Sequence, residues 1–410
     1  MRERLEARRK AIRARKRRRF ISLLLIISII GGTIYSCSNK NIENKPVEVE
    51  KPKEVVDMIK LEPAIEIDPL EGKDINPLTG LYIDEEDVID RPVAVMINNH
   101  NRAQPQSGVE AADIIYELPV EGEFTRLLAI YQGYKDIEKI GPVRSARHYF
   151  LYPNFDHDAV YIHYGASYIA RKYFTKLNTP NINGELGYPD SELSWRDKER
   201  IKTKGMEHSA YTSGEKIEKV WKAKEFRTNK DVDNEFKFNE EDTDVEGKRA
   251  DKLTLEYTDY QIAKFEYDEE RKEYLRFQTT NSSGNFHKHI DRETGNQLAF
   301  KNVIVQYATV KAIPGDKEGR KDITLVSEGT GYYLTNGNVM NIKWVKSANR
   351  NTTIYKDLEG NELKLNAGKT FICIFDKNKK KNVEITAKPV LEEVTDEQSG
   401  TNITSESSAE

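Results

Sequence analysis

Cysteine is almost absent from this 410-residue chain, which has two, Cys37 and Cys373. If Cys37 is modified, Cys373 has no partner and no intrachain disulfide can form. An exported chain without disulfides suits a monoderm bacterium better than a eukaryotic secretory route. No Cys/His spacing matches a zinc site. There is no Gly-x-Ser-x-Gly elbow and no His-Glu-x-x-His pair. Gly368-Lys369-Thr370 lacks the glycine that a phosphate-binding loop needs five residues earlier, where Leu363 stands. No internal repeat is visible. The sequence therefore gives no reason to expect a metal or a cofactor, and it carries no recognisable catalytic set.

Net positive charge is also missing beyond the first residues. Met1 to Arg19 holds eleven Lys/Arg and two Asp/Glu, a net of +9, while the whole chain stands at −4. The remainder is therefore at −13, which argues against nucleic acid as a partner. Behind the basic run, Phe20 to Ile30 is uncharged and almost wholly apolar, and Ile34-Tyr35-Ser36-Cys37 follows. This is the order of an export signal. Phe20 to Cys37 is 18 residues, about 27 Å as a helix at roughly 1.5 Å per residue. That length sits at the short edge of a membrane span. Either Cys37 is a lipobox cysteine, acylated after cleavage behind Ser36, or the segment stays as an uncleaved anchor. The first reading is preferred, although Tyr35 is large for its position. Both leave the basic flank in the cytoplasm and place the bulk of the chain on the extracellular face of the cell membrane.

Organisation follows from composition and period. Residues 1–37 read as signal and anchor, and 38–75 as a flexible stalk rich in Lys, Glu, Pro and Asn. Residues 76–228 alternate short apolar strands with helical stretches at Ser167–Leu177 and Ser213–Lys224, the pattern of a mixed α/β domain. Val109–Asp113 is expected as a short helix and Ser145–Tyr152 as a helix entry. Residues 229–249 form a charged linker. Residues 250–386 are β-rich, with hairpin turns expected at Asn336-Gly337 and Glu359-Gly360-Asn361. They read as a sandwich or small barrel. Cys373, in the apolar run Thr370–Phe375, is expected as an inert core residue. Residues 387–410 form an acidic, disordered tail. The fold class is α+β.

The first domain carries six motifs in one order. They are Asn76-Pro-Leu-Thr-Gly80, Arg91-Pro-Val-Ala-Val-Met-Ile-Asn-Asn-His100, Pro105-Gln-Ser-Gly108, Ala112-Asp-Ile-Ile-Tyr-Glu117, Glu121-Gly-Glu-Phe-Thr-Arg126 and Gly141-Pro-Val-Arg-Ser-Ala-Arg147. The second domain adds Gly331-Tyr-Tyr-Leu-Thr-Asn-Gly337, Ile342-Lys-Trp344 and Leu365-Asn-Ala-Gly-Lys-Thr370. Together they resemble the YerB-type lipoproteins of Gram-positive bacteria, over roughly Asn76 to Phe375. The resemblance implies a lipoprotein signal and two domains of unknown function. It assigns no catalytic residue.

The sharpest site candidate is Gly141–His148. Arg144 and Arg147 are three apart and would share one face of a helix near its N-terminus, where backbone dipoles and guanidinium forks grip phosphate or carboxylate. The alternative is that both pair internally with Glu117, Glu121 and Glu123. Asn98, Asn99 and His100 follow a buried strand, and ligands gather at such strand ends in α/β units. Their amides and imidazole suit sugar hydroxyls, or His100 could act as a base. His163 ends another strand and would face the same edge. Arg126 and Glu117 complete the ligand-binding set. Glu117, Glu121 and Glu123 are also the carboxylates a glycosidase would need, if two of them faced across a cleft. Seven tyrosines between Tyr149 and Tyr188 would line a saccharide groove or fill a core.

Two functions are consistent with these residues. One is a surface-anchored lipoprotein binding an anionic or glycan ligand of the cell envelope, or an envelope protein. The other is an envelope hydrolase or transferase acting on peptidoglycan or a linked polymer, with His100, His163 and a glutamate supplying acid–base chemistry.

Overall fold

The computed structural model describes residues 70–85, 87–88, 91–229, 236–279 and 285–388. These belong to one compact unit, Ile67–Glu410. The signal, Cys37, most of the stalk and the tail from residue 389 lie outside the described residues.

The N-terminal domain supplies β1 (Val93–Asn98), β2 (Ile114–Pro119), β3 (Thr125–Tyr131), α1 (Leu151–Asp156), β4 (Val160–His163), α2 (Tyr168–Lys176), β5 (Asn181–Asn183), α3 (Lys198–Lys204) and α4 (Gly214–Ala223). The β-rich domain supplies β6 (Lys252–Thr258), β7 (Gln261–Asp268), β8 (Glu273–Thr279), β9 (Asn302–Ala312), β10 (Glu328–Thr335), β11 (Asn338–Val345), β12 (Thr370–Asp376) and β13 (Val383–Thr386), besides shorter strands. The fold is α+β, a mixed N-terminal domain followed by a β-rich one.

The two domains share one sheet. Its twelve strands run Lys248–Arg249, β11, β10, β9, β12, β2, β3, β1, β4, β5, with two short strands paired at the side. At the seam, β12 lies parallel to β2 with Thr370 opposite Ile114 and Cys373 opposite Glu117. β1, β2 and β3 are buried at every position, as continuous apolar runs covered on both faces must be. Cys373 is fully buried there. A second, six-stranded sheet carries β8, β7, β6 and β13. β7 alternates buried and half-buried residues along its whole length, the period of a strand with one core face. That face packs on the large sheet through Phe265 against Phe371 at 5.2 Å and Tyr257 against Phe375 at 4.9 Å between ring centres. The β-rich domain is thus a sandwich, one of whose sheets continues into its neighbour.

Local rules account for most elements. Ser167 and Ser213 cap α2 and α4, each hydroxyl accepting an N–H three residues on. Asn336 and Gly337 turn the chain between β10 and β11 with φ of 48° and 72°, the left-handed pair a two-residue hairpin requires. Val109–Asp113 is a turn, not a helix. Five residues before a strand are too few to repay helix nucleation. Ser145–Arg147 is not a helix entry either: Ala146 bridges Ala166, and the helical turns start only at His148. Arg144 and Arg147 therefore sit on extended backbone.

One ion pair crosses between the sheets. Arg276 Nη2 of β8 lies 2.5 Å from Glu117 Oε2 of β2, and neither side chain is exposed. The second Glu117 oxygen accepts from Asn99 Nδ2 at 3.1 Å and Thr125 Oγ1 at 2.6 Å. The guanidinium also stacks between Phe371 and Phe265, 4.7 and 5.4 Å from their centres. Removing one partner of such a pair leaves a bare buried charge, which costs about 3–5 kcal/mol. Arg276→Met should lose that much in urea unfolding, and Glu117→Gln/Arg276→Met should lose less than the two single changes together. An Arg276→Met loss within about 0.5 kcal/mol of zero would contradict this.

Candidate functional site

Successive residues at a strand end point to opposite faces, and the end of β1 uses this. Asn99 turns toward the second sheet. Its Nδ2 reaches Glu117, and its Oδ1 accepts from Gln106 Nε2 at 3.1 Å. Gln106 Oε1 lies 2.9 Å from His289 Nε2. Asn99 and Glu117 thus belong to a buried polar layer with Arg276, away from the other candidates.

Asn98 turns to the opposite face, beside Arg126, its register partner on β3. Its Nδ2 is 3.0 Å from His208 Nδ1, and its Oδ1 accepts the His100 N–H at 3.1 Å. The His100 ring lies 4.9 Å from His208 and 4.2 Å from Phe124. Burial pulls the His208 imidazole down to about 4, and the neighbouring His100 and Arg144 add to it. His100 is lowered in the same way, by burial and then by Arg102 and Arg144.

Arg102 and Arg144 act on this pair, and Arg126 and Arg147 join the same edge through a shared Glu121. Arg126 donates to the Ser145 carbonyl and to Glu121 Oε1 at 3.2 Å. Arg147 forms a two-pronged pair with the same Glu121. Both arginines are buried, and burial lowers Arg126 to about 10. Arg144 is half-exposed, with Nη2 2.8 Å from Glu207 Oε2, itself 70% exposed. Arg102 is exposed, and its guanidinium has no partner among the described residues. Among the described residues, Arg102, Arg126, Arg144 and Arg147 are ion-paired with two carboxylates, Glu121 and Glu207, so the four guanidiniums exceed their paired carboxylates by two.

His163 is occupied elsewhere. It is buried, 2.8 Å from the Gly165 carbonyl and 3.1 Å from Asn181 Oδ1, and stacked on Phe174 at 4.9 Å. Burial outweighs both acceptors and brings it to about 4. Glu123 is exposed. Among the tyrosines, Tyr149 and Tyr161 are core residues, while Tyr168 and Tyr188 are exposed. The structure thus gathers Asn98, His100, Arg126, Arg144 and Arg147, and separates Asn99, Glu117 and His163 from them. His208, Glu207 and Phe124 were not expected in the set. His208 and Glu207 reach it from a 3₁₀ turn, Met206–His208, more than a hundred residues along the chain from Asn98, and no local pattern marks them. Among the described residues, no group of three or more His, Cys, Asp or Glu is placed to hold a metal ion.

His163 and His208 titrate near 4 in the fold against 6.5 for a free histidine. Below pH 6.5 the unfolded chain takes up protons that the folded one refuses, so their contribution to stability is full above 6.5 and is lost as pH falls toward 4. Imidazole NMR signals of both residues should show no titration between pH 8 and pH 5.5. A midpoint near 6.5 for either would contradict the described burial.

The comparisons with known proteins agree with this architecture. The model of the "protein of unknown function (DUF3048) N-terminal domain" matches residues 78–227, and that of its C-terminal counterpart matches residues 253–372. Over 302 residues the chain is 35% identical to "Putative lipoprotein YerB" of Bacillus subtilis (strain 168), covering 73% of this chain and 85% of that protein. The crystal structure of YerB from Bacillus subtilis is similar with a TM-score of 0.65 at 31% identity, over 77% of this chain and 100% of that one. The chain belongs to the YerB-type family, built from the two domains that both models describe as being of unknown function.

Proposed function

We propose that this protein is a surface-anchored envelope lipoprotein whose guanidinium-rich edge binds an anionic envelope ligand. The anchor rests on the basic leader, the apolar run and Cys37, and on a relative that is itself named as a lipoprotein. The outer face of the cell membrane is then its location.

The observation that carries the binding reading is the charge imbalance at the end of β1. Arg126 and Arg147 hold Glu121 between them and form a fixed cationic floor. Beside it, Arg102 has no ion-pair partner among the described residues and Arg144 pairs with a solvent-exposed counter-ion, Glu207. A phosphate or carboxylate arriving there would replace Glu207, gain charge-assisted hydrogen bonds and favour protonation of His208. Catalysis is less well supported. Of the three candidate glutamates, Glu117 is locked to Arg276 on the other face and Glu121 to Arg126 and Arg147, and His163 is spent within its own loop.

Calorimetric titration of the full-length protein with a poly(glycerol phosphate) tests this. Arg102→Ala/Arg144→Ala should bind at least tenfold more weakly, since each lost charged hydrogen bond is worth about 1.5–3 kcal/mol. The His208 midpoint should move up from about 4 when the polyanion is bound. Equal affinity of wild type and variant, with an unmoved His208, would remove the site.

A further inference from the structure

The chain carries a second recess, unlike the guanidinium edge in both composition and charge. It is a cleft of about 490 Å³ whose walls come from both domains. Gly108, Glu110, Ile137, Glu138 and Trp195 line one side, and Asp291, Glu293 and Lys369 the other. A volume of that size lies within the range of small-ligand and peptide sites.

Its floor is apolar and aromatic. Trp195 is half-buried and lines the cleft together with Ile137, with Lys216 Nζ 5.9 Å from the centre of its ring. The other two tryptophans, Trp221 and Trp344, are buried in the core at 5% and 2% exposure. The rim is acidic. Four carboxylates, Glu110, Glu138, Asp291 and Glu293, face two ammonium groups, Lys139 and Lys369, a net of −2. The cations are also engaged. Lys369 donates to the Glu110 carbonyl, and Lys139 sits 2.8 Å from Asp197 Oδ2 and 3.8 Å from Glu293 Oε1. Asp291 is consumed by the N–H groups of Glu110 and Glu293. The least compensated negative charge therefore lies at Glu138, which is exposed and has no partner among the described residues, while the 44% exposed Glu293 takes the Ser107 hydroxyl at 2.7 Å and Lys139 at 3.8 Å on Oε1 and has only Oε2 left for a ligand.

We infer that this cleft binds an amine-bearing peptide, with an aliphatic stem laid along Trp195 and Ile137 and its ammonium between Glu138 and Glu293. An indole face attracts both a methylene chain and a cation, and the carboxylates supply acceptors that an ammonium needs when it leaves water. A polyanion would be repelled by this rim, which separates the site from the guanidinium edge. Because both domains form the walls, the occupant would also clamp the seam between them.

Trp195 is a built-in reporter, since the other two indoles are shielded. Full-length protein in detergent is titrated with the tripeptide Ala-Lys-Ala and with its Nε-acetyl-lysine counterpart, following tryptophan emission and, in parallel, heat. The lysyl peptide should give a saturable change in both. Acetylation, which removes the charge and leaves the stem, should weaken binding by at least about tenfold, and Glu138→Gln by about fivefold, the size of one partly screened ion pair. Glu138 is exposed, so its replacement leaves the fold intact. Equal affinity for the two peptides, unchanged affinity in Glu138→Gln, or no saturation by either readout would overturn the assignment.

Discussion

The buried pair between Glu117 and Arg276 is the constraint on which the rest of the structure depends. The glutamate comes from a strand of the N-terminal domain and the arginine from a strand of the β-rich domain, 159 residues apart. A carboxylate and a guanidinium at zero exposure are tolerable only together. Each domain therefore carries a charge that the other neutralises. The same strand that bears Glu117 lies against β12, so the ion pair and the shared sheet enforce one register. A slip by one residue would turn Glu117 into the opposite core and leave Arg276 bare.

That register also explains why the polar residues at the end of β1 separate. With Glu117 fixed on the face toward the second sheet, Asn99 follows it there and Asn98 must face away. The inner group continues through Gln106 to His289. The outer group opens to solvent beside four arginines. One short polar segment thus serves as a structural lock on one side and as an electropositive edge on the other. Two of those arginines share a single glutamate, which holds the edge rigid without neutralising it.

Much of this was legible in the sequence. β1 to β4, α2 and α4 and the Asn336-Gly337 hairpin follow from apolar runs, serine caps and turn residues, all of which act over a few positions. The family motifs were legible too. The shared sheet was not, because nothing in the apolar run Thr370–Phe375 says which strand it will pair with, and parallel pairing across domains leaves no local mark. The destination of Glu117 was hidden for the same reason, since its partner is set by tertiary register. The three-residue spacing of Arg144 and Arg147 beside an expected helix entry suggests one helical face, whereas Ala146 between them bridges to Ala166 instead. Long-range pairings, rather than propensities, decided every point on which the sequence was silent.

Native-state hydrogen exchange tests this picture most directly. If the two domains are one cooperative sheet, the amides of β2 from Ile115 to Glu117 and those of β12 from Phe371 to Cys373 should exchange only through the same opening, with one free energy equal to that of global unfolding. Exchange of β12 at a clearly lower free energy, while β2 stays protected, would show that the β-rich domain detaches on its own. The account of how this protein holds its edge site would then fail.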